Sequence, residues 1–169
     1  MTFQRRLFLA ALVLVLAGGC GQKIKPVSDL ERKQAAHLAS EAEFAVSLRD
    51  YARAEPLLAQ AVALLPDNGS YWINLGSVRK RLGNRGGARE AYEGALKAYE
   101  RQARQNEAEP DPWLKQIYVL ALLGRVDDAR ARVEKMRARF PTHRVVRIFV
   151  EEKQFELMLQ EPLIKETGL

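Results

Sequence analysis

The chain has 169 residues, with 11 Gly, 7 Pro and one Cys, and its side chains are 47% apolar and 28% charged. A single cysteine excludes an internal disulfide framework, and the near-average composition excludes a largely disordered chain and a multi-span membrane protein, so one folded core of ordinary domain size is expected. The formal charge of +6 includes Arg5 and Arg6; without them 25 basic and 21 acidic side chains leave +4, too little to point to nucleic acid.

Residues 1–19 read as a targeting segment. Arg5 and Arg6 precede an unbroken apolar run of 11 residues, Leu7 to Ala17, and then come Gly18, Gly19 and Cys20. The run is shorter than the roughly 18 to 20 residues of a membrane-spanning helix and ends in small residues, the layout of a cleavable signal. The motif Leu16-Ala17-Gly18-Gly19-Cys20 resembles the lipobox of bacterial lipoproteins, with Leu one place further from Cys than in the commonest pattern. That resemblance implies lipidation of Cys20, which becomes the new N-terminus of a 150-residue chain. The alternatives are a non-lipidated export signal or a short uncleaved anchor, with Cys20 an incidental thiol. Residues 20–28 follow as lipidated Cys and tether, and the eight residues from Gly21 to Ser28 reach at most about 30 Å. Two acyl chains hold a protein stably on a bilayer. In lipoproteins of Gram-negative cells an Asp after the Cys favours the inner membrane; with Gly21 there, the resemblance implies the outer membrane facing the periplasm, if the organism has one.

From Ser28 onward the signals are helical. Ser28-Asp29-Leu30-Glu31 is a capping box. A step of 34 residues carries Leu48 to Leu82, Ala54 to Ala88, Leu58 to Tyr92 and Ala61 to Ala95, while Tyr51 falls on Arg85 and Pro66 on Glu100. A further step of 41 reaches a third copy with Trp113, Leu123, Gly124, Val126, Ala129, Val133 and Pro141. Asp50 and Asn68 suit caps, Asp111-Pro112 places Pro at a helix start, and Pro66 and Pro141 act as stops. Pro56 falls about one turn into a helix and is expected to kink it. The added residues Ala103 to Glu109 are good helix formers, so the helix before Pro110 is expected to run on through them.

The copies resemble the tetratricopeptide repeat, a pair of antiparallel helices A and B. Gly69 to Gln102 carries the best match, at Trp72, Leu75, Gly76, Leu82, Gly83, Ala88, Tyr92 and Ala95. Residues 35–68 match at Ala42, Ala54, Leu58, Ala61 and Pro66; residues 110–143 depart at Ile117 and Met136. The resemblance implies an all-α fold: a short right-handed solenoid over 29–143, with a capping helix and tail over 144–169. Ala42, Ala54, Gly76, Ala88 and Ala129 are expected where helices approach closely, with Trp72, Leu75, Tyr92 and Trp113 filling the gaps beside them. Thr142 is expected to cap a segment from His143 to Gln160 that covers the open end of the stack. Its β-branched stretch Val145 to Val150 offers an alternative as a docking segment. Pro162 is expected to end it, leaving Leu163 to Leu169 as a frayed tail.

The sequence carries no arrangement for catalysis, metal or cofactor: its histidines are His37 and His143, and Cys20 is assigned to lipid. The acidic pairs Asp127-Asp128 and Glu151-Glu152 are expected at helix starts or on solvated faces. Gly83 to Gly87 lacks the GK[ST] ending of a phosphate loop and reads as a turn. The resemblance implies a partner groove on the A helices at Ala39, Glu43, Val46, Ile73, Ser77, Lys80, Leu114, Tyr118 and Ala121. The Lys and Asn that clamp a carboxylate in some family members are replaced here by Ala39, Glu43 and Ser77. Tyr118 is the contact candidate, because an aromatic ring offers large area at low entropy cost. The function expected is a lipid-anchored adaptor for another envelope protein or peptide in pilus, secretion or outer-membrane assembly, with no nucleic acid and no metal. The alternatives are a self-associating structural lipoprotein and a recruiter of a cell-wall hydrolase.

Overall fold

A computed structural model describes residues 27–165, apart from the side chain of residue 163. The signal segment, Cys20, the tether up to residue 26 and the tail from residue 166 lie outside the described residues. Within them the fold is all-helical, with no strand. The helices are α1 (Asp29–Ser47), α2 (Tyr51–Leu64), α3 (Gly69–Arg81), α4 (Arg85–Gln105), α5 (Asp111–Leu122), α6 (Val126–Arg139), α7 (Arg144–Glu151), α8 (Gln154–Met158) and α9 (Pro162–Lys165). Helices α1 to α6 each pack mainly on their neighbours in sequence.

Side chains at the helix starts explain the boundaries. The Ser28 hydroxyl accepts from the Glu31 N–H at 3.2 Å, and the Glu31 carboxylate accepts from the Ser28 N–H at 2.7 Å. Asp50 accepts from the Arg53 N–H at 3.1 Å, Asn68 from those of Ser70 and Tyr71, and Asn84 from that of Gly87 at 2.8 Å. Helix α6 has Arg125 at its N-cap and no side-chain cap; Asp127 and Asp128 in its first turn face the positive end of the helix instead.

The three turns inside the pairs share one geometry. Each A helix ends on leucine, Leu48, Leu82 or Leu123, and the next residue is left-handed: Arg49 at φ 59°, Gly83 at 76° and Gly124 at 71°. The following N–H then bonds back five residues, Asp50 to Ala45, Asn84 to Arg79 and Arg125 to Leu120, each at 2.9 Å, satisfying carbonyls that the helix end leaves open.

Small side chains sit at the seams. Ala42, Ala54, Ala61, Ala88, Ala95 and Ala129 are fully buried, as are Tyr92 and, nearly so, Leu75. A Cβ added at Gly76 would overlap the ring of Tyr92, and one at Gly94 would lie 2.7 Å from the indole of Trp72. The Trp72 indole N–H donates to the Pro66 carbonyl at 2.9 Å. Trp113, half-buried, meets Phe140 edge to face at 6.0 Å between ring centres.

Pro56 lies at the sixth position of α2, and the helix runs on through it to Leu64. Ala52, whose carbonyl loses its N–H partner, is exposed, as is Pro56, so the loss falls on the solvated side. Helix α4 runs past Gln102 but stops at Gln105, not Glu109: Asn106 caps it, and the Glu109 N–H bonds the Asn106 carbonyl in the turn leading to Pro110. Residues 144–165 form three short helices in place of one capping helix, because Lys153 takes a left-handed conformation at φ 52° between α7 and α8. His143, not Thr142, holds the N-cap of α7. Val145 to Val150 form most of α7, with Val146 buried against the core and Val145 and Ile148 exposed. Pro162 begins α9 instead of ending structure, and Ile164 in that helix is buried. Glu151 and Glu152 lie at the C-terminus of α7 and are exposed, on a solvated face as expected.

Candidate functional site

Clefts among the described residues include one between α1 and α3 and one among α4, α5 and α6. The first, of about 270 Å³, opens between α1 and α3, over α2. Glu43 and Val46 come from α1, Asn74, Ser77 and Val78 from α3, and Leu58 from α2. The spacings of three and four residues put each set on one helix face, and buried Leu58 and Val78 close the base. The Ser77 hydroxyl lies 3.4 Å from the Tyr92 hydroxyl. Burial pushes the Tyr92 pKa above its ordinary value, against the Ser77 hydrogen bond and the Arg81 charge, so the phenol stays neutral at physiological pH.

Three expected groove residues, Glu43, Val46 and Ser77, therefore meet in one cleft. Ile73 and Lys80 are partly exposed on the same helix α3. Ala39 and Ala121 are corrections: Ala39 is buried in a cluster with Ala35 and Ala61, and Ala121 is fully buried beside α5's other apolar residues, so neither offers a surface to a partner. Leu114 and Tyr118 are half-buried. In this third copy the C-terminal helix α9 packs against α5. The Tyr118 pKa is raised first by burial, then by the charge of Glu161 and by Tyr92, and the ring packs against the core cluster that includes Ile164 of α9. Leu58 was not legible as a cleft residue because it lies on a B helix, outside the surface that the repeat pattern marks.

The second cleft, of about 430 Å³, lies among α4, α5 and α6 and is lined by Glu100, Ala103, Arg104, Glu107, Trp113, Gln116, Arg132 and Arg139. Its rim is braced by ion pairs: Arg125 to Glu93 at 3.5 Å, Arg132 to Glu100 at 3.9 Å and Arg139 to Glu107 at 3.0 Å. Both sets advance by seven residues, a spacing in the sequence that signals the cleft and that reading by 34-residue repeats passes over. The Arg132 guanidinium lies 5.4 Å from the Trp113 ring centre. Gln116 is fully buried, donates to the Tyr99 carbonyl at 3.2 Å, and its amide oxygen accepts no bond. The three glutamate–arginine pairs act as a brace across α4 and α6.

Among the described residues no three His, Cys, Asp or Glu side chains are grouped to hold a metal ion. His37 is exposed, 3.3 Å from Glu41, and His143 meets Phe140 edge to face. No helix among the described residues is long and apolar enough to cross a membrane. No protein-family model matches the chain, and no curated protein matches it.

Proposed function

We propose that the protein is a short tetratricopeptide-type adaptor, lipid-anchored through Cys20, that holds a peptide or helix of another envelope protein close to a membrane, the outer membrane facing the periplasm. The observation that carries the reading is the cleft between α1 and α3, where Glu43, Val46 and Ser77 stand at groove positions of two successive copies. Shared turn geometry at Arg49, Gly83 and Gly124 supports the repeat. An open cleft with one acid, neutral polar groups and an apolar base suits a partner segment that contributes an apolar side chain and an N–H or basic group. The role is binding, not catalysis. The eight residues between Cys20 and α1 keep the cleft near the anchor.

Two measurements test this reading. Metabolic labelling with a palmitate analogue should mark the wild type and not Cys20→Ser; label retained in the variant overturns the anchor. A photo-crosslinking residue at Val46, which is 36% exposed, should capture one dominant envelope protein in cells. Loss of that capture in Ser77→Arg is expected, and capture unaffected by it overturns the cleft as the site.

A further inference from the structure

The outer side of α1 carries a residue type that holds the other copies together. Phe44 recurs as Val78 and Val119 at the repeat steps. Val78 is buried in one cluster with Ala42, Ala45, Ala54 and Leu58 of the first copy, and Val119 shares a cluster with Tyr92, Ala95 and Leu96 of the second. Phe44 itself is 61% exposed, and Leu30 and Leu48 are 75% and 61% exposed. A face that is covered by a helix in two copies is open in the first.

The pattern of that face says what fits it. At 100° per residue, Leu30, His37, Glu41 and the C-cap Leu48 fall within about 40° of one another on the helix wheel. They are also symmetric about Ala39: the leucines stand nine residues to either side, and His37 and Glu41 two residues to either side. A stripe that reads apolar, basic, acidic, apolar is complementary to itself when reversed, the condition for a two-fold interface. We propose that α1 is a homodimerisation helix, pairing antiparallel with a second copy so that Leu30 meets the partner's Leu48 and His37 meets the partner's Glu41. Phe44 flanks the seam and packs beside the partner's Gln34. Within one copy His37 and Glu41 already lie 3.3 Å apart, so the pair of helices gathers two imidazoles and two carboxylates at its centre. One helix face per copy is smaller than the ~800 Å² per partner of a standard interface, so the dimer is weak and reversible in solution. Confinement of both copies to one surface would strengthen it through effective concentration. The pairing itself does not depend on the anchor or on a partner in the cleft.

The test uses the chain from residue 20 with Cys20→Ser, which keeps every described residue, with circular dichroism as the check on folding. Antiparallel pairing sets His37 and the partner's His37 four residues apart along the axis, about 6 Å, and Leu30 and the partner's Leu30 18 residues apart, about 27 Å. A short bismaleimide should therefore crosslink His37→Cys to itself and not Leu30→Cys, while a mixture of Leu30→Cys and Leu48→Cys should crosslink between unlike chains. Sedimentation equilibrium should show Phe44→Asp and Leu48→Asp weakening the dimer at least tenfold with helicity unchanged. Equal crosslinking from His37→Cys and Leu30→Cys, a dimer unaffected by both aspartates, or a monomer at every concentration overturns the proposal. So does a monomer that binds phosphatidylethanolamine–phosphatidylglycerol vesicles through Leu30 and Phe44, since the bilayer is then the occupant. All readouts are made without lipid at Cys20, so failure of the palmitate test leaves them unaffected.

Discussion

Gly76 lies under the ring of Tyr92 so closely that a single methyl group at position 76 would overlap it. Elsewhere in a helix, Gly to Ala gains up to about 1 kcal/mol through backbone entropy. Here the added carbon has to displace a fully buried ring, so Gly76→Ala should destabilise the protein by roughly 1 to 3 kcal/mol. Gly86 is the control: it lies in the first turn of α4 with nothing within 4 Å of an added Cβ. Gly86→Ala should stabilise by about 0.5 to 1 kcal/mol. Urea denaturation of the two variants should give midpoints on opposite sides of wild type; shifts in the same direction would mean that the α3 and α4 seam is not closely packed.

The turn between α1 and α2 sets Arg49 where the later copies use Gly83 and Gly124, all three at positive φ. A side chain in the left-handed region costs roughly 1 to 2 kcal/mol, partly offset because glycine makes the unfolded chain more flexible. Arg49→Gly should thus stabilise by about 0.5 to 1 kcal/mol. Gly83→Ala should destabilise by a similar amount through backbone strain alone, because nothing lies within 4 Å of an added Cβ there. Thermal unfolding of both variants checks the pair, and an Arg49→Gly protein that melts lower than wild type would contradict the shared turn.

What the sequence made legible follows from where small residues recur. Ala54, Ala88 and Ala129 mark one seam and are all fully buried, because a close helix crossing admits only a small side chain whatever surrounds it. Caps were readable for the same local reason, at Ser28, Asp50 and Asn68. The break at Lys153 was not readable, since lysine is a good helix former and nothing in its neighbours marks a left-handed residue. The end of α4 at Gln105 was hidden likewise by residues that would all continue a helix. At the candidate site, repeat position placed Glu43, Val46 and Ser77 in one cleft but could not foresee that Ala121 would be fully buried or that α9, which no repeat pattern describes, would pack against α5.

The ladder from Glu93, Glu100 and Glu107 to Arg125, Arg132 and Arg139 accounts for the added residues between the second and third copies: seven residues bring a third glutamate into register opposite the last arginine. Partly exposed pairs of this kind couple by about 0.2 to 1 kcal/mol and are screened by salt. A double-mutant cycle on Glu100→Gln and Arg132→Gln should give a coupling in that range at low ionic strength and a clearly smaller one in 0.5 M salt, a concentration chosen to shorten the Debye length to a few ångströms, roughly 4 Å. Absence of coupling at low ionic strength would point to Arg132 acting through the Trp113 ring alone, not through Glu100.

Tyr92, Tyr99 and Tyr118 all have their pKa raised, and burial is the first cause in each. The folded state therefore keeps phenol protons that the unfolded chain releases near its ordinary value of about 10. With more protons bound by the folded than by the unfolded state, stability falls as pH rises. The contribution of these phenols is fully present below about pH 10 and is lost above it, as pH climbs through the raised folded values. Unfolding free energy measured from pH 8 to 11.5 should be flattest at the low end and decline above pH 10, and Tyr92→Phe should reduce that decline, because phenylalanine carries no proton to lose. For Tyr118, Glu161 adds a repulsion that holds the proton on. Absorbance titration near 295 nm should then show one tyrosinate forming at lower pH in Glu161→Gln than in wild type. An unchanged titration would mean that the C-terminal segment does not lie over α5.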